Sequence, residues 1–485
     1  MTTVVLVAGE RHTLSAGDLY ASFGSRGPGG ATAGAGGWLL DVDCDVVRPG
    51  APVSARIPLG EDGPVVLLLG RISACVPGRR ITVVHDQPWR GRLQLHFTDE
   101  VSDGVPGCRL RVTADLDEAG LAWWMEQRGW RDDRAPAADV HRIGLLTSKT
   151  GPGAVFAQAC EYLARLAVDR VNAEGGLAGR RLEVVVHDDA TDPGRAAVEA
   201  RRMVQDGCRA IIGSVTSASF EAVRRAVADT GIPLIHGVLN EGGAGEDNVF
   251  RWGERPLAQM RAATRHLRPA EVGHRWHLIG NDYSWSHGAH AASRRAVDEI
   301  GGEVVTSILT PLGTTDFAEA IERLQRSDAR VVVSSLVGAD EVAFERQMWR
   351  SGLRERCTVV SLVMDESTRE HIGDEAAAGI WTALGYFDGL ETEANVALRR
   401  TYREQYGAWA PPLSSLSEGV YEAILLYAAA VRRSGGEGGS EVVRELRAVG
   451  GDLPRGRVLA AGPHAMAQQI HVARSVPGGF RIAGA

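Results

Sequence analysis

The chain has 485 residues, 44% of them hydrophobic and 24% charged, with a formal charge of −8. That length exceeds what one hydrophobic core sustains, so about two to four compact units are expected, with the composition of an ordinary globular protein. An acidic balance without a basic stripe argues against nucleic acid as a partner.

The six cysteines, Cys44, Cys75, Cys108, Cys160, Cys208 and Cys357, are scattered without a CxxC pair. This spacing argues against a zinc site or a disulfide scaffold, and neither metal nor cofactor is expected. Met1–Glu10 lacks a basic n-region, its apolar run is too short for a signal-peptide core, and no stretch is long enough to span a bilayer. The expected location is therefore cytoplasmic, without membrane insertion, and periplasmic or extracellular if the start site is misassigned.

Up to about residue 130 the pattern predicts strands at Trp38–Val47, Val53–Leu59, Val65–Leu69, Arg80–His85, Leu93–Phe97 and Arg109–Ala114. Short polar turns between them mean an antiparallel meander. A helix from about Leu116 to Gln127 closes it, with Trp123 and Trp124 either packing that helix on the sheet or lining a pocket. His85 and His96 lack metal-ligand spacing and receive no role. Arg48-Pro49-Gly50-Ala51-Pro52-Val53 feeding a strand, with Leu121-Ala122-Trp123-Trp124 in the last helix, resembles the helix-grip fold of the START and polyketide-cyclase-like superfamily. The N-terminal helix is short and broken by Gly27-Pro28-Gly29-Gly30. This α+β domain is assigned 1–130, and the charged, then Pro/Ala-rich 131–139 a linker.

From His141 onward, strand and helix alternate. Strands are expected at Arg142–Thr147, Leu182–His187, Arg209–Ile212, Ile232–His236, Arg275–Gly280, Glu303–Leu309, Val331–Ser335 and Thr358–Leu362. Intervening helices include Val155–Glu174, Asp192–Asp206 and one from about Phe220 to Thr230. Repeated βα units imply parallel sheets covered by helices. The glycine-rich break between His236 and Arg275, with Gly242-Gly243-Ala244-Gly245, suggests two lobes. Their shared site would lie at the C-terminal ends of the strands. Ala210-Ile211-Ile212-Gly213-Ser214-Val215-Thr216-Ser217-Ala218-Ser219 is the most informative stretch, because a buried strand there empties into a helix N-terminus. Its hydroxyls cap that helix or meet a ligand.

Dense, colinear motifs carry a resemblance: Thr150-Gly151-Pro152, Val171-Asn172-Ala173-Glu174-Gly175-Gly176-Leu177, Asp188-Asp189-Ala190-Thr191-Asp192-Pro193, Gly280-Asn281-Asp282-Tyr283 and Pro311-Leu312-Gly313-Thr314-Thr315. Region 140–485 resembles a type 1 periplasmic binding protein of the branched-chain amino acid, amide and urea group, closest to the amide- and urea-binding subgroup. The implied fold is an α/β clam-shell of two parallel-sheet lobes, about 140–255 with 386–450 and about 256–385 with 451–485. The resemblance implies a cleft with Ser217 at a ligand carbonyl, His236 at an aromatic position, and Tyr283 and Trp285 closing over the ligand. Ser219, Gly338, Asp365 and Tyr386 complete the candidate set. Asp365 has a second role open to it, capping the helix near Ser367, and Tyr386 a second role in packing the hinge. Asp282 is read as a strand-end acid or an ammonium partner. Val215 stands where amide binders carry Tyr, and Leu239-Asn240 replaces a Pro-aromatic pair, so a wider or more polar first-lobe wall is expected.

GxSxG, HExxH, P-loop and strand-linked GxGxxG motifs are absent, and no enzyme is expected. The leading expectation is a cytoplasmic sensor that closes on a small polar ligand, an amide, urea or amino acid, and signals to a regulatory protein. The alternative is the substrate-binding component of an ABC transporter, with a permease as partner. A third reading places catalysis in the N-terminal domain. A second copy of the chain is a further candidate partner.

Overall fold

The computed structural model describes residues 4–23, 41–44, 46–58, 65–87, 89–102, 104–116, 120–121, 140–243, 246–267, 272–436 and 439–483. Two compact units emerge: Met1–Arg134 with Ala408–Pro411, and Ala135–Gly407 with Pro412–Ala485.

In the first unit, β1 (Val4–His12), β2 (Asp41–Asp43), β3 (Pro52–Pro58), β4 (Val65–Val76), β5 (Arg80–Gln87), β6 (Gly91–Ser102) and β7 (Val105–Leu116) form a seven-stranded sheet in the order β1-β7-β6-β5-β4-β3-β2. All its pairings are antiparallel. The meander therefore holds; β4 to β7 run longer than their apolar cores alone suggest, whereas the strand expected over Trp38–Val47 is confined among the described residues to Asp41–Asp43. The Val4–His12 stretch, read in the sequence only for leader features, is a strand paired along its length with β7. Helix Ala16–Ser22 is capped by Ser15, whose hydroxyl accepts from the Asp18 N–H. It buries Leu19 against Ile81, Val83, Leu95 and Leu110. Of the expected closing helix, Leu116 instead ends β7 and Gly120 and Leu121 are helical; Trp123 and Trp124, the 131–139 linker and the Gly27–Gly30 break lie outside the described residues.

The second unit holds two parallel sheets. Strands β8 (Val140–Thr147), β9 (Arg181–Asp188), β10 (Ile211–Ser214), β11 (Leu234–His236) and β12 (Val249–Arg251) are ordered β12-β11-β10-β8-β9. Strands β13 (Arg275–Asn281), β14 (Glu303–Thr310), β15 (Val331–Ser335), β16 (Thr358–Ser361) and β17 (Trp381–Leu384) form the core of the other. A small sheet of β18 (Gly450–Leu453), β19 (Gly456–Ala460) and β20 (Met466–Ala467) follows. Then β21 (His471–Val476) and β22 (Gly479–Ile482) extend the second sheet antiparallel, giving β14-β13-β15-β16-β17-β21-β22. Central strands β10 and β15 are buried along their whole length, which explains their unbroken apolar runs: helices cover both faces of a parallel sheet.

Two boundaries differ from expectation for local reasons. The long helix expected from Val155 opens instead with 3-10 turns at Pro152–Val155 and Ala157–Ala159, and turns α-helical only over Cys160–Ala173. The next landmark helix begins at Ser217, not near Phe220, because the Thr216 hydroxyl accepts from the Ser219 N–H and caps it one turn earlier.

Candidate functional site

The two lobes face each other across a cavity enclosing about 500 Å³ of empty space, counting its share of open solvent. Its walls come from loops at the C-terminal ends of strands, as expected for α/β sheets. The first lobe supplies Ser148 after β8, Ser214 to Ser217 at the end of β10, and Val238 and Leu239 after β11. The second supplies Tyr283 and Trp285 after β13, Val337 after β15 and Val363 after β16. Gly153 and Phe156 of the 3-10 segment and Leu416 of helix Ser415–Ser434 complete it. The wall is thus mostly apolar, with a row of hydroxyls on the first-lobe side; Val215 and Leu239 make that side greasier than the sequence suggested.

Three of the eight sequence-selected residues line this cavity: Ser217, Tyr283 and Trp285. Trp285 is fixed by its indole N–H, which donates to the Ser335 carbonyl at 3.1 Å. The Tyr283 phenol is pushed well above its ordinary range by burial and then by the carboxylates of Glu241 and Asp340, so it stays protonated. Its hydroxyl bonds no described side chain, which leaves it available to a ligand.

The others have different surroundings. Ser219 is buried beneath Thr216, whose hydroxyl donates to it at 3.2 Å. His236 is buried, stacks on Phe220 with ring centroids 4.4 Å apart, and bonds the Val215 carbonyl through Nε2 at 2.9 Å. Burial lowers its pKa to about 4, so it is a neutral prop for the Val215 loop. Asp365 caps helix Glu366–Ile372 by accepting from the Thr368 N–H at 2.9 Å. Its pKa is raised by burial, against bonds from Thr368 and Ser414 that favour the anion. The buried Tyr386 hydroxyl donates to Asn395 Oδ1 at 2.8 Å, in the packing behind the hinge. Gly338 stands where the lobes touch: a Cβ there would lie 2.0 Å from the Pro152 carbonyl oxygen. Asp282 is exposed and pairs with His287 at 3.0 Å.

Of the supporting residues, Asp188 and Asp189 enter the sequence only as motif letters and Asp340 lies outside the motifs. Asp188 accepts from the N–H groups of Lys149, Thr150 and Ala190, which shapes the loop under Ser148. Asp189 accepts from the Ser148 hydroxyl at 2.7 Å. Ser219 also hydrogen-bonds it, and burial, the leading cause, raises its pKa to about 6. Asp340 accepts from Asn281 Nδ2 and from the Gly313 and Thr314 N–H groups, tying the Pro311–Thr315 motif to the end of β13. Glu241, which no motif marked, accepts from the Ser217 hydroxyl at 2.5 Å. An acid beside a glycine-rich break is the one signal that pointed to it.

A family model described as periplasmic binding protein matches residues 141–479. The chain belongs to the periplasmic binding protein family. Among curated proteins it is 24% identical over 320 residues to the Leu/Ile/Val-binding protein homolog 1 of Brucella abortus, covering 64% of this chain and 83% of that one. A solved branched-chain amino acid transporter substrate-binding protein from Streptococcus pneumoniae, in complex with isoleucine, superposes with a TM-score of 0.63 at 21% identity. That match covers 71% of this chain and 99% of that one. A solute-binding protein of an R. palustris ABC transporter, in complex with benzoate, gives a TM-score of 0.63 at 21% identity, covering 71% and 96%. These matches establish the type 1 periplasmic-binding-protein fold of the second unit.

Proposed function

We propose that the protein is the substrate-binding component of an ABC-type uptake system and carries a small ligand of branched-chain amino acid type between its lobes. The observation behind this reading is the cavity at the strand ends. Phe156, Val215, Val238, Leu239, Val337 and Val363 offer an aliphatic side chain a dry wall, and hydroxyls cluster on one side. Urea has no apolar surface to bury there. The names of the relatives, which bind Leu, Ile and Val, support the same class, and a permease is the partner it implies. This is the reading that the sequence alone placed second.

Thermal unfolding of the whole chain with L-leucine, L-isoleucine, L-valine, acetamide and urea tests it. At a hundredfold excess over Kd, a bound ligand adds about 2.7 kcal/mol. The branched-chain amino acids are expected to raise the melting temperature and urea to leave it unchanged. No shift with any amino acid would remove the ligand assignment.

One observation favours the sensor as a second reading. The solved relatives use 96–99% of their own chains to match 71% of this one, and the seven-stranded antiparallel unit lies outside the matched residues. That additional unit is what a receptor signalling to a partner would carry beyond its binding lobes. Cell fractionation separates the two: export supports uptake, and retention in the cytosol supports the sensor.

A further inference from the structure

We propose that Arg255 and Arg251, under the Gly242-Gly243 turn at the first passage between the lobes, form an oxyanion site of the kind that takes inorganic phosphate. The cavity described above is lined by neither arginine, so the site is separate from it and does not depend on which cargo that cavity carries. The two guanidiniums flank the crossing. Arg251 ends β12 in the first lobe, and Arg255 is the N-cap residue of helix Pro256–His266, which opens the second. Arg255 Nη2 donates to the Arg251 carbonyl at 3.5 Å. A guanidinium has five N–H donors, and the rest of these reach no protein acceptor among the described residues. Nor has Arg255 an ion-pair partner there. A cation at a helix N-cap also faces the positive end of the dipole, which is the unfavourable sign. This half-buried charge is what an anion would complete.

The nearby carboxylates are engaged elsewhere. Glu221 pairs with Arg224 at 2.5 Å and Arg225 at 3.0 Å, and stands 3.8 Å from Arg251. Glu246 pairs with Arg224. Glu241 accepts the Ser217 proton at 2.5 Å. Four guanidiniums thus meet three carboxylates, and the surplus falls on Arg255. Burial pushes its pKa down and Arg251 pushes it further, with Glu241 alone opposing. Burial lowers Arg251 too, against Glu221, Glu241 and Glu246 and with Arg224. Glycine supplies the room. Gly242 and Gly243 have φ of +103° and +136°. A Cβ on Gly242 would lie 2.8 Å from Arg255 Nη1, and one on Gly243 would lie 3.4 Å from Arg251 Cζ and Nη2. No side chain from these two positions therefore screens the guanidiniums. A tetrahedral oxyanion offers paired oxygens to the guanidinium fork and the negative charge that the cluster lacks.

Isothermal calorimetry of the full chain with inorganic phosphate at pH 7.5, at constant ionic strength set by chloride, tests the site. One phosphate per chain is expected, and Arg255→Gln is expected to weaken it at least about tenfold. Urea unfolding of the same variant in chloride buffer gives a second readout. Because the substitution removes a charge without a partner, the variant is expected to be no less stable than the wild type. A lower midpoint in chloride would mean that the protein itself already satisfies Arg255, and overturns the site. Phosphate that does not bind the wild type, or binds Arg255→Gln equally well, overturns it as well. Phosphate is expected to bind alike with and without L-leucine; displacement by L-leucine would place the ion in the ligand cavity and overturn the separate site. Failure of L-leucine to bind, with phosphate binding intact, counts against the proposed function alone.

Discussion

Gly338 shows how one residue sets the geometry of closure. Its φ of +58° is a conformation that side chains rarely adopt, and its Cα faces the Pro152 carbonyl across the cleft. An added methyl would collide with backbone from the opposite lobe. Gly338→Ala is expected to fold, since each lobe keeps its own core, but to hold the lobes apart. A backbone penalty of about 1–3 kcal/mol on the closed state translates into roughly ten- to hundredfold weaker binding. Calorimetry with L-leucine and small-angle scattering check this: unchanged affinity and an unchanged ligand-induced contraction would remove the assignment. At this scale the sequence was readable where chemistry and position coincide. Tyr283 and Trp285, large residues just after a strand, reach the cavity, whereas His236 at the end of β11 and Ser219 in the first turn of the helix after β10 point into the protein. Residue type and nearness to a strand end do not say which way a side chain turns. That is set by Phe220 stacking on His236 and by Asp189 drawing in Ser219.

Helix Ser217–Ala226 carries the same lesson at the level of an element. Its apolar positions, Phe220, Val223 and Ala226, were legible and gave its direction and buried face. Its start was not, because the cap is a side-chain choice among four neighbouring hydroxyls, and Thr216 takes it. Thr216→Ala removes both the cap and the donor to Ser219. A loss of about 1 kcal/mol is expected, read as a lower urea midpoint for the second unit with an unchanged slope; a midpoint equal to the wild type would mean another hydroxyl caps instead. The βα rhythm was readable through β16 because each buried parallel strand is a continuous apolar run. Strands β12 and β17, only three and four residues long, are not legible in the sequence, and neither are β18 to β22. Strands β18 to β22 are short, antiparallel and only partly buried, and β21 pairs with β17 across some ninety residues of intervening chain.

Over the whole binding unit, the chain passes between the lobes near Glu254, Gly385 and Gln468, and one buried cluster ties these passages together. Glu254 Oε1 accepts from the Gly385 N–H at 2.7 Å, the Ser415 hydroxyl at 2.6 Å and Arg455 at 3.4 Å. Arg455 also pairs with Glu418 at 2.5 Å and Glu422 at 2.7 Å, and donates to Gln468. One guanidinium thus faces three carboxylates with almost no water, and burial holds the Glu418 pKa well above the usual carboxylate range, with Arg455 pulling the other way. Arg455→Met removes the one cation and leaves buried acids unpaired, at an expected cost of about 3–5 kcal/mol near neutral pH. The sign of its pH dependence follows from linkage. Without the cation the Glu418 carboxyl loses the charge that opposes its burial and its folded-state pKa rises further above the unfolded value. The folded variant then binds protons more readily than the unfolded chain, so its stability is fullest below the unfolded carboxylate pKa and falls as pH climbs. The deficit relative to wild type is therefore expected to be larger at pH 8 than at pH 5. Urea titrations at both pH values measure it, and a deficit that is flat or grows toward acid would show that Arg455 is not what balances the charge of the hinge.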